Sequence, residues 1–162
     1  MTRVEPIRFE QGRPMQLGGL RRRHAFAESS RTIPQQWHEF ESTLPLPGQL
    51  GTTTYGVVCG ADNSGLEYMC AVEVESLSVL PADVGRMQLR AQRYAVFLHS
   101  GDVSDIQATW RRILDQWLPQ SGYRSAQRPD FEVYDHRFDP RTGKGEVEIW
   151  IAIADDERGG HS

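Results

Sequence analysis

The chain has 162 residues, of which 38% are hydrophobic and 25% charged, and its formal net charge is -4. A chain of this length can bury a real core, either as one compact domain or as two closely packed halves. With 22 acidic against 18 basic residues it lacks the positive excess of a dedicated nucleic-acid-binding protein, so we expect no direct nucleic-acid contact.

Cysteine usage and the N-terminal sequence indicate the compartment. Cys59 and Cys70 have neither the spacing nor the neighbouring histidines of a zinc site, and two cysteines give no disulfide framework. The first residues contain no apolar signal-peptide core, and no stretch approaches the roughly 20 apolar residues of a membrane span. We therefore expect a cytoplasmic protein that contacts no membrane.

The first half of the chain predicts a strand, a helix and a hairpin. The strand covers residues 15–23, where the run Arg21 to Arg23 reads as a solvated strand or turn. The helix begins at Thr32, because Thr-Ile-Pro-Gln matches a capping box with proline in the first turn. Its apolar stripe consists of Ile33, Trp37 and Phe40.

The second half predicts the same elements in the same order. A strand covers residues 88–99, and a helix begins at Ser104, where Ser-Asp-Ile-Gln repeats the capping box. Pro119 ends that helix and Gly122 turns the chain away. The apolar face of the helix is formed by Ile106, Trp110, Ile113, Leu114 and Trp117.

The two hairpins also have matched lengths, since Tyr55 precedes Glu67 by 12 positions and Tyr134 precedes Glu146 by 12. These matches predict an α+β fold built from a duplicated β-α-β-β unit with pseudo-two-fold symmetry. The half-repeats are expected at about 12–80 and 86–154, within a single domain whose tail at 155–162 is flexible. Two small antiparallel sheets with helices on one face would then pair and leave a ligand cleft between the halves.

Four ordered segments carry a resemblance to a known family. They are residues 92–101 (QRYAVFLHSG), 117–123 (WLPQSGY), 130–134 (DFEVY) and 145–153 (GEVEIWIAI). The chain resembles the GyrI-like family, also called the AraC-type effector-binding domain, as a stand-alone member. The resemblance implies a duplicated β-α-β-β fold and the binding of hydrophobic, often cationic compounds. One departure is Ala152, where the family's closing strand usually carries proline.

Strand alternation in the closing segment singles out one carboxylate. Glu148, Trp150 and Ala152 lie on one face, while the opposite face is aliphatic and is expected to pack on the helices. A carboxylate held among aromatic rings is desolvated, so its pKa should rise until a ligand cation compensates it. The alternative is that Glu148 is an ordinary solvent-facing residue, but the resemblance places the family's acidic site residue at Glu148.

The predicted ligand site consists of this acid and a wall of apolar and aromatic residues. Trp37 and Trp117 are assigned to the core instead. Met69 takes the position equivalent to Glu148 in the first half, so one acidic site is expected per chain. The predicted set is Glu148, Trp150, Tyr55, Tyr68, Met69, Phe97 and Trp110.

No catalytic, metal or cofactor site is predicted elsewhere. His99 is followed by Asp102 and Asp105, but a second histidine at ligand spacing and a nucleophile elbow are both missing, and helix capping accounts for the acids. The glycines at 18–19 and 48–51 form neither a dinucleotide-binding fingerprint nor a phosphate-binding loop.

Three functions remain open. The first is a noncatalytic module that senses or sequesters hydrophobic, in particular cationic aromatic, compounds. The second is a hydrolase that opens strained electrophilic natural products with Glu148 as its catalytic group, as the resemblance allows. The third is an interaction with DNA gyrase or with a separate regulator, which the small negative charge supports only weakly.

Overall fold

The computed structural model describes residues 4–155, and its centre is a single antiparallel sheet of ten strands. The predicted α+β fold is confirmed, but one continuous sheet replaces the two small sheets. The strands are β1 (Arg8–Gly12), β2 (Met15–Ala25), β3 (Gln49–Ala61), β4 (Gly65–Val74), β5 (Gly85–Leu89), β6 (Gln92–Asp102), β7 (Tyr123–Ser125), β8 (Asp130–Tyr134), β9 (Phe138–Asp139) and β10 (Lys144–Asp155).

The helices of the described part are short. They are α1 (Ser29–Glu41), α2 (Ile106–Arg112) and α3 (Leu118–Gln120), with a π-helical segment at Ile113–Trp117 between α2 and α3. Single 3-10 turns occur at Leu77–Val79 and Val103–Asp105. Among residues 4–155, no helix is long and apolar enough to cross a membrane.

The strand order is β1-β6-β10-β8-β3-β4-β2-β5, with β7 and β9 paired to β10. The two halves of the chain meet where β3 pairs with β8, and we call this pairing the seam; it places Gly56 directly opposite Glu132. Counted inward from the two edges of the sheet, β1 corresponds to β5, β6 to β2, β10 to β4 and β8 to β3. A duplicated unit would give this arrangement. The duplication and the half-repeat boundaries stay predictions.

The edge strands are exchanged between the halves. β1 is followed directly by β2 in the chain but pairs with β6, whereas β5 is followed directly by β6 but pairs with β2. Each half is therefore completed by a strand that is sequence-adjacent to the other half. The predicted strand at residues 88–99 is split by this exchange into β5 and β6.

Helices α1 and α2 pack on the same face of the sheet, which we call the helix face. The core under α1 contains Phe40, Tyr68 and Val72, and the core under α2 contains Ile113 and Ile149. The predicted aliphatic side of β10 thus packs on the helices, as the alternation indicated.

The opposite face, which we call the inner face, packs on itself because the sheet is curled. One buried cluster there joins residues of seven strands, so strands distant in the sheet order contact each other across the curl. Its buried members are Leu17, Val57, Met69, Ala71, Leu89, Tyr94, Val96, Phe131 and Ala152. The inner face is thus largely a core.

Both predicted capping boxes are wrong. α1 begins at Ser29, and the Thr32 hydroxyl contacts Nδ1 of the buried His24 at 2.7 Å instead of capping the helix. In the second half a 3-10 turn precedes α2, and the Asp102 carboxylate accepts from the backbone N–H of Ser104. In the first half a tertiary contact engages the hydroxyl assigned to the cap, and in the second half Ser104 lies inside the 3-10 turn instead of at the start of α2.

The second apolar stripe is confirmed except for Leu114, which is 40% exposed. Leu114 lies in the π-helical segment, where the wider turn changes the angular position of each side chain. Pro119 lies inside α3, one residue before its end, and Gly122 turns the chain with a φ of +82°.

Ala152, where the family usually carries proline, forms a backbone hydrogen bond. Its backbone N–H, which proline would lack, donates to Oδ1 of Asp130 at 2.8 Å. Burial raises the pKa of Asp130 to about 7, because this backbone donor compensates the desolvation only in part. The predicted flexible tail falls on residues 156–162, outside the described residues, except for Asp155, which ends β10.

Candidate ligand-binding site

The helix face carries a buried carboxylate at the seam. Glu132 lies in the middle of β8 and is 5% exposed. Its Oε1 accepts hydrogen bonds from the hydroxyls of Tyr68 at 2.6 Å and Tyr134 at 2.8 Å. Its Oε2 accepts from the indole N–H of Trp110 at 2.8 Å. Three aromatic side chains from β4, β8 and α2 therefore converge on one acid.

Strand geometry produces this convergence. Tyr134 follows Glu132 by two positions and so shares its face, while Tyr68 reaches it from β4, across the glycine of β3. Trp110 descends from α2 on one side. From the other side Trp37 of α1 donates its indole N–H to the Tyr68 hydroxyl at 3.1 Å, and its ring centre lies 5.2 Å from that of Tyr134.

Burial, and not pairing with an arginine or lysine, dominates the electrostatics of Glu132. Among residues 4–155 no arginine or lysine forms an ion pair with it. Burial raises the pKa of Glu132, and the hydrogen bonds from Tyr68, Trp110 and Tyr134 offset that rise only in part. Burial also raises the pKa values of both tyrosines, so their hydroxyls stay protonated donors.

Glu148 has the opposite surroundings. It lies on the inner face of β10, where the Arg8 guanidinium binds both carboxylate oxygens at 2.9 and 3.0 Å and Arg137 lies 3.2 Å from Oε2. The Trp150 indole N–H donates to Oε1 at 2.9 Å. Burial opposes ionisation, but the Arg8, Trp150 and Arg137 donors outweigh it and lower the pKa of Glu148. The expected uncompensated charge with a raised pKa is therefore wrong for this residue.

The predicted site residues separate onto the two faces of the sheet. Tyr68 and Trp110 contact Glu132 on the helix face, where Phe97 also lies but packs in the core under α2. On the inner face are Glu148, Trp150, Tyr55 and Met69. A ligand on one face cannot contact the residues of the other.

Sequence reasoning did not select Glu132 or Tyr134, and it assigned Trp37 to the core, where Trp37 does pack beside Tyr68. The alternation that singled out Glu148 is also present at residues 131–134, where Phe131 and Val133 alternate with Glu132 and Tyr134. That pattern could have identified the acid and its tyrosine. The approach of Trp37 and Tyr68 depends on the seam and carries no local signal.

The other polar groups that the sequence brought forward are structural. His99 contacts the Thr109 hydroxyl through Nδ1 at 2.7 Å and the Asp102 carbonyl through Nε2 at 2.9 Å. Cys59 and Cys70 are free thiols. Within the described residues, no group of three or more His, Cys, Asp or Glu side chains could hold a metal ion. Arg21, Arg22 and Arg23 are exposed on β2 and pair with Glu67, Glu39 and Asp62.

The comparisons with known proteins agree with this architecture. Residues 5–154 match the model of the GyrI-like small molecule binding domain. The transcriptional regulator BrlR of Pseudomonas aeruginosa is 30% identical over 128 residues, which are 75% of this chain and 46% of BrlR. A DNA gyrase inhibitor of Erwinia billingiae is 31% identical over 78 residues, which are 48% of this chain and 44% of the inhibitor.

Among solved structures, SAV2435 bound to tetraphenylphosphonium has a TM-score of 0.74 at 18% identity, covering 95% of this chain and 97% of SAV2435. The chain belongs to the GyrI-like small molecule binding domain family, as the sequence resemblance indicated. It spans less than half the length of the two curated relatives it matches.

Proposed function

We propose that this protein binds hydrophobic, cationic aromatic compounds on its helix face, with Glu132 as the anionic contact. The observation that carries the proposal is a buried carboxylate that receives three neutral donors and no cationic one. A positively charged ligand supplies the missing charge, and its binding is favoured because an uncompensated buried anion is costly.

The surrounding rings suit such a ligand. Trp37, Tyr68, Trp110 and Tyr134 offer π faces, which attract a cation by roughly 0.5 to 2 kcal/mol for each favourable ring. Rings and one charge impose few directional hydrogen bonds, so flat or globular cations of different shapes can bind. The family assignment and the cationic aromatic ligand of SAV2435 support the same ligand class.

The helices set the direction of entry. α1 and α2 flank Glu132, and a single long hydrogen bond between them, from Gln107 Nε2 to Ser29 Oγ at 3.4 Å, joins their N-terminal ends in the described structure. Trp110 contacts the acid directly and Trp37 contacts its two tyrosines, so a ligand must displace these side chains or intercalate between them. We propose that it enters between α1 and α2.

A matched pair of substitutions tests the proposal. Glu132→Gln removes the charge but keeps the size of the side chain, and we expect it to weaken tetraphenylphosphonium binding by about tenfold or more, measured by isothermal titration calorimetry. In NMR spectra of the parent, the indole N–H signals of Trp37 and Trp110 should shift on titration, while that of Trp150 should not.

Glu148→Gln is the control, because it makes the same change on the opposite face. It should leave the affinity within about twofold while lowering stability, since Arg8 and Arg137 each lose one of their two carboxylate partners and keep Glu10 and Asp135 respectively. If Glu148→Gln abolishes binding and Glu132→Gln does not, the ligand belongs to the inner face, where Glu148, Trp150, Tyr55 and Met69 form the alternative site.

Hydrolysis is a second candidate at the same acid. The raised pKa of Glu132 and its two flanking hydroxyls suit a group that donates a proton to a reacting electrophile, whereas the two arginines make Glu148 a poor base. Incubation with a strained electrophile should then give product with the parent and none with Glu132→Gln. A bound electrophile that is recovered unchanged would leave binding as the function.

We also propose partners and a compartment for this protein. The match to a gyrase inhibitor supports a pull-down with purified gyrase, and the match to BrlR supports one with a separate regulator. The free thiols of Cys59 and Cys70 fit the cytoplasm.

A further inference from the structure

Gly56 occupies the position on β3 that lies directly opposite Glu132 across the seam. It is buried, and its other neighbour across the sheet is Cys70 of β4. Tyr68, two residues before Cys70, must cross the β3 backbone at this point for its hydroxyl to reach Glu132 Oε1. The contact that joins the two halves at the acid therefore passes over Gly56.

The space above Gly56 is filled by the two side chains that meet there. A β-carbon at this position would overlap the Tyr68 hydroxyl oxygen, and it would lie 2.5 Å from Glu132 Oε1 and 2.7 Å from Tyr68 Cζ. Protein β-carbons do not come this close to other atoms, so one partner would have to leave. Gly56 has no positive φ, so the backbone conformation does not require glycine.

We propose that Gly56 is the positioning residue of the ligand site: its missing side chain admits the Tyr68 hydroxyl to Glu132 and so fixes the orientation of the carboxylate. This inference rests on the proposed function for its ligand consequence, but its structural part is independent of any ligand. The first half of the chain then contributes space and a hydroxyl, and the second half contributes the charge.

The geometry also predicts which carboxylate oxygen meets the ligand. Oε1 receives two hydroxyl donors over Gly56, whereas Oε2 receives only the indole N–H of Trp110, a half-buried helix residue. A carboxylate oxygen has two lone-pair sites, so Oε1 is saturated and Oε2 keeps one site open. Oε2 is therefore the oxygen that we expect to face the ligand.

The test is a double-mutant cycle between Gly56 and Tyr68. Gly56→Ala should weaken tetraphenylphosphonium binding by about tenfold and lower the melting temperature, because Tyr68 is pushed away from Glu132. Tyr68→Leu removes both the hydroxyl and the ring edge. In that background Gly56→Ala should lower the affinity by less than it does in the parent, since only the close approach to Glu132 Oε1 remains to be relieved.

A spectroscopic readout separates positioning from a general structural effect. The Tyr68 hydrogen bond favours ionised Glu132, so Gly56→Ala should move the carboxyl titration midpoint, followed by carbon-13 NMR, to higher pH. Tyr68→Phe should produce the same direction of shift. Adding Gly56→Ala to Tyr68→Leu should move the midpoint less than Gly56→Ala moves that of the parent, because no Tyr68 hydrogen bond remains to be lost.

Gly60→Ala is the matched control on the same strand. A β-carbon at Gly60 meets nothing within 4 Å, and the residue is exposed, so binding and titration should remain those of the parent. If Gly56→Ala leaves the titration midpoint at the parent value, Gly56 does not position the site. The same conclusion follows if Gly56→Ala lowers the affinity equally in the parent and in Tyr68→Leu. If the parent itself does not bind tetraphenylphosphonium, the proposed function fails while the titration and stability cycles still decide the role of Gly56.

Discussion

Glu132 and Glu148 are carboxylates of equal exposure on neighbouring strands, yet they differ in the charge of their neighbours. At Glu148 two guanidinium groups and an indole donor favour the ionised form, whereas at Glu132 three neutral donors leave the cost of burial partly uncompensated. Desolvation therefore dominates at one acid and charge pairing at the other. We therefore expect a cationic ligand to gain more at Glu132, because at Glu148 it would have to displace Arg8.

This difference predicts a pH dependence for tetraphenylphosphonium, whose charge does not titrate. Protonated Glu132 carries no charge and should bind the cation weakly. Because the folded-state pKa of Glu132 lies above its ordinary value of 4.5, this protonated form persists to a higher pH than for an exposed glutamate. The affinity should rise with pH by up to about tenfold per unit and level off above that pKa. Calorimetric titrations at a series of pH values would measure it.

The stability of the ligand-free protein should contain a contribution of opposite sign from the same group. A raised carboxyl pKa means that the folded state holds the proton more tightly than the unfolded chain, so this contribution is present at low pH and is lost as the pH rises through the raised pKa.

Glu132→Gln should remove the pH dependence of binding. An affinity in the parent that stays constant with pH would contradict the role of Glu132.

At the scale of elements, the five-residue edge strand β1 is anchored by more than its backbone. It pairs with β6, and Arg8 ties it to Glu148 of β10 while its guanidinium lies 5.6 Å from the centre of the Trp150 ring. An isolated edge strand of this length is held weakly. The arginine therefore links the first strand of the chain to the last.

Arg8→Ala should lower the free energy of unfolding by about 1 to 2 kcal/mol, because Arg8 is partly exposed and Arg137 still compensates Glu148. Urea unfolding would measure the loss, and faster amide exchange within β1 would locate it. Arg141→Ala is a suitable control, since Arg141 is exposed and lies 3.6 Å from Asp139; its effect should stay within about 0.5 kcal/mol. Equal effects of the two substitutions would contradict an anchoring role for Arg8.

For the whole molecule, the exchanged edge strands and the seam make the halves interdependent. The first half lacks β5 without the chain beyond residue 84, and the second half lacks β1 without the start of the chain. Each half alone would also expose the strand that forms the seam. An exposed strand edge with unpaired backbone groups is unfavourable.

Separate chains of residues 1–82 and 83–162 should therefore show no cooperative unfolding, while their mixture should recover the spectrum of the parent. Circular dichroism and NMR dispersion of each fragment and of the mixture would test this. The intact chain, as the reference, should unfold in one transition followed equally by fluorescence and circular dichroism. A cooperative transition in either fragment alone would show that the halves fold independently.

The sequence by itself determined the α+β class, the order of most elements, the aliphatic face of β10 and, through its resemblance, the family. These follow from short-range periodicity and from segments whose order is visible along the chain. It also indicated that an acid lies beside aromatic rings, but it selected Glu148. Alternation places Glu148 with Trp150 and Glu132 with Tyr134 equally well, and it does not reveal which carboxylate meets arginine.

Only the tertiary structure shows which of the two acids meets arginine. Arg8 reaches Glu148 because the first edge strand pairs with the second half, and Tyr68 reaches Glu132 because β4 lies one strand from the seam over a glycine. Both contacts join residues that are far apart in the chain, 140 and 64 positions respectively. The charge state of a buried acid depends on such neighbours, so the candidate site depends on strand pairing that no local pattern encodes.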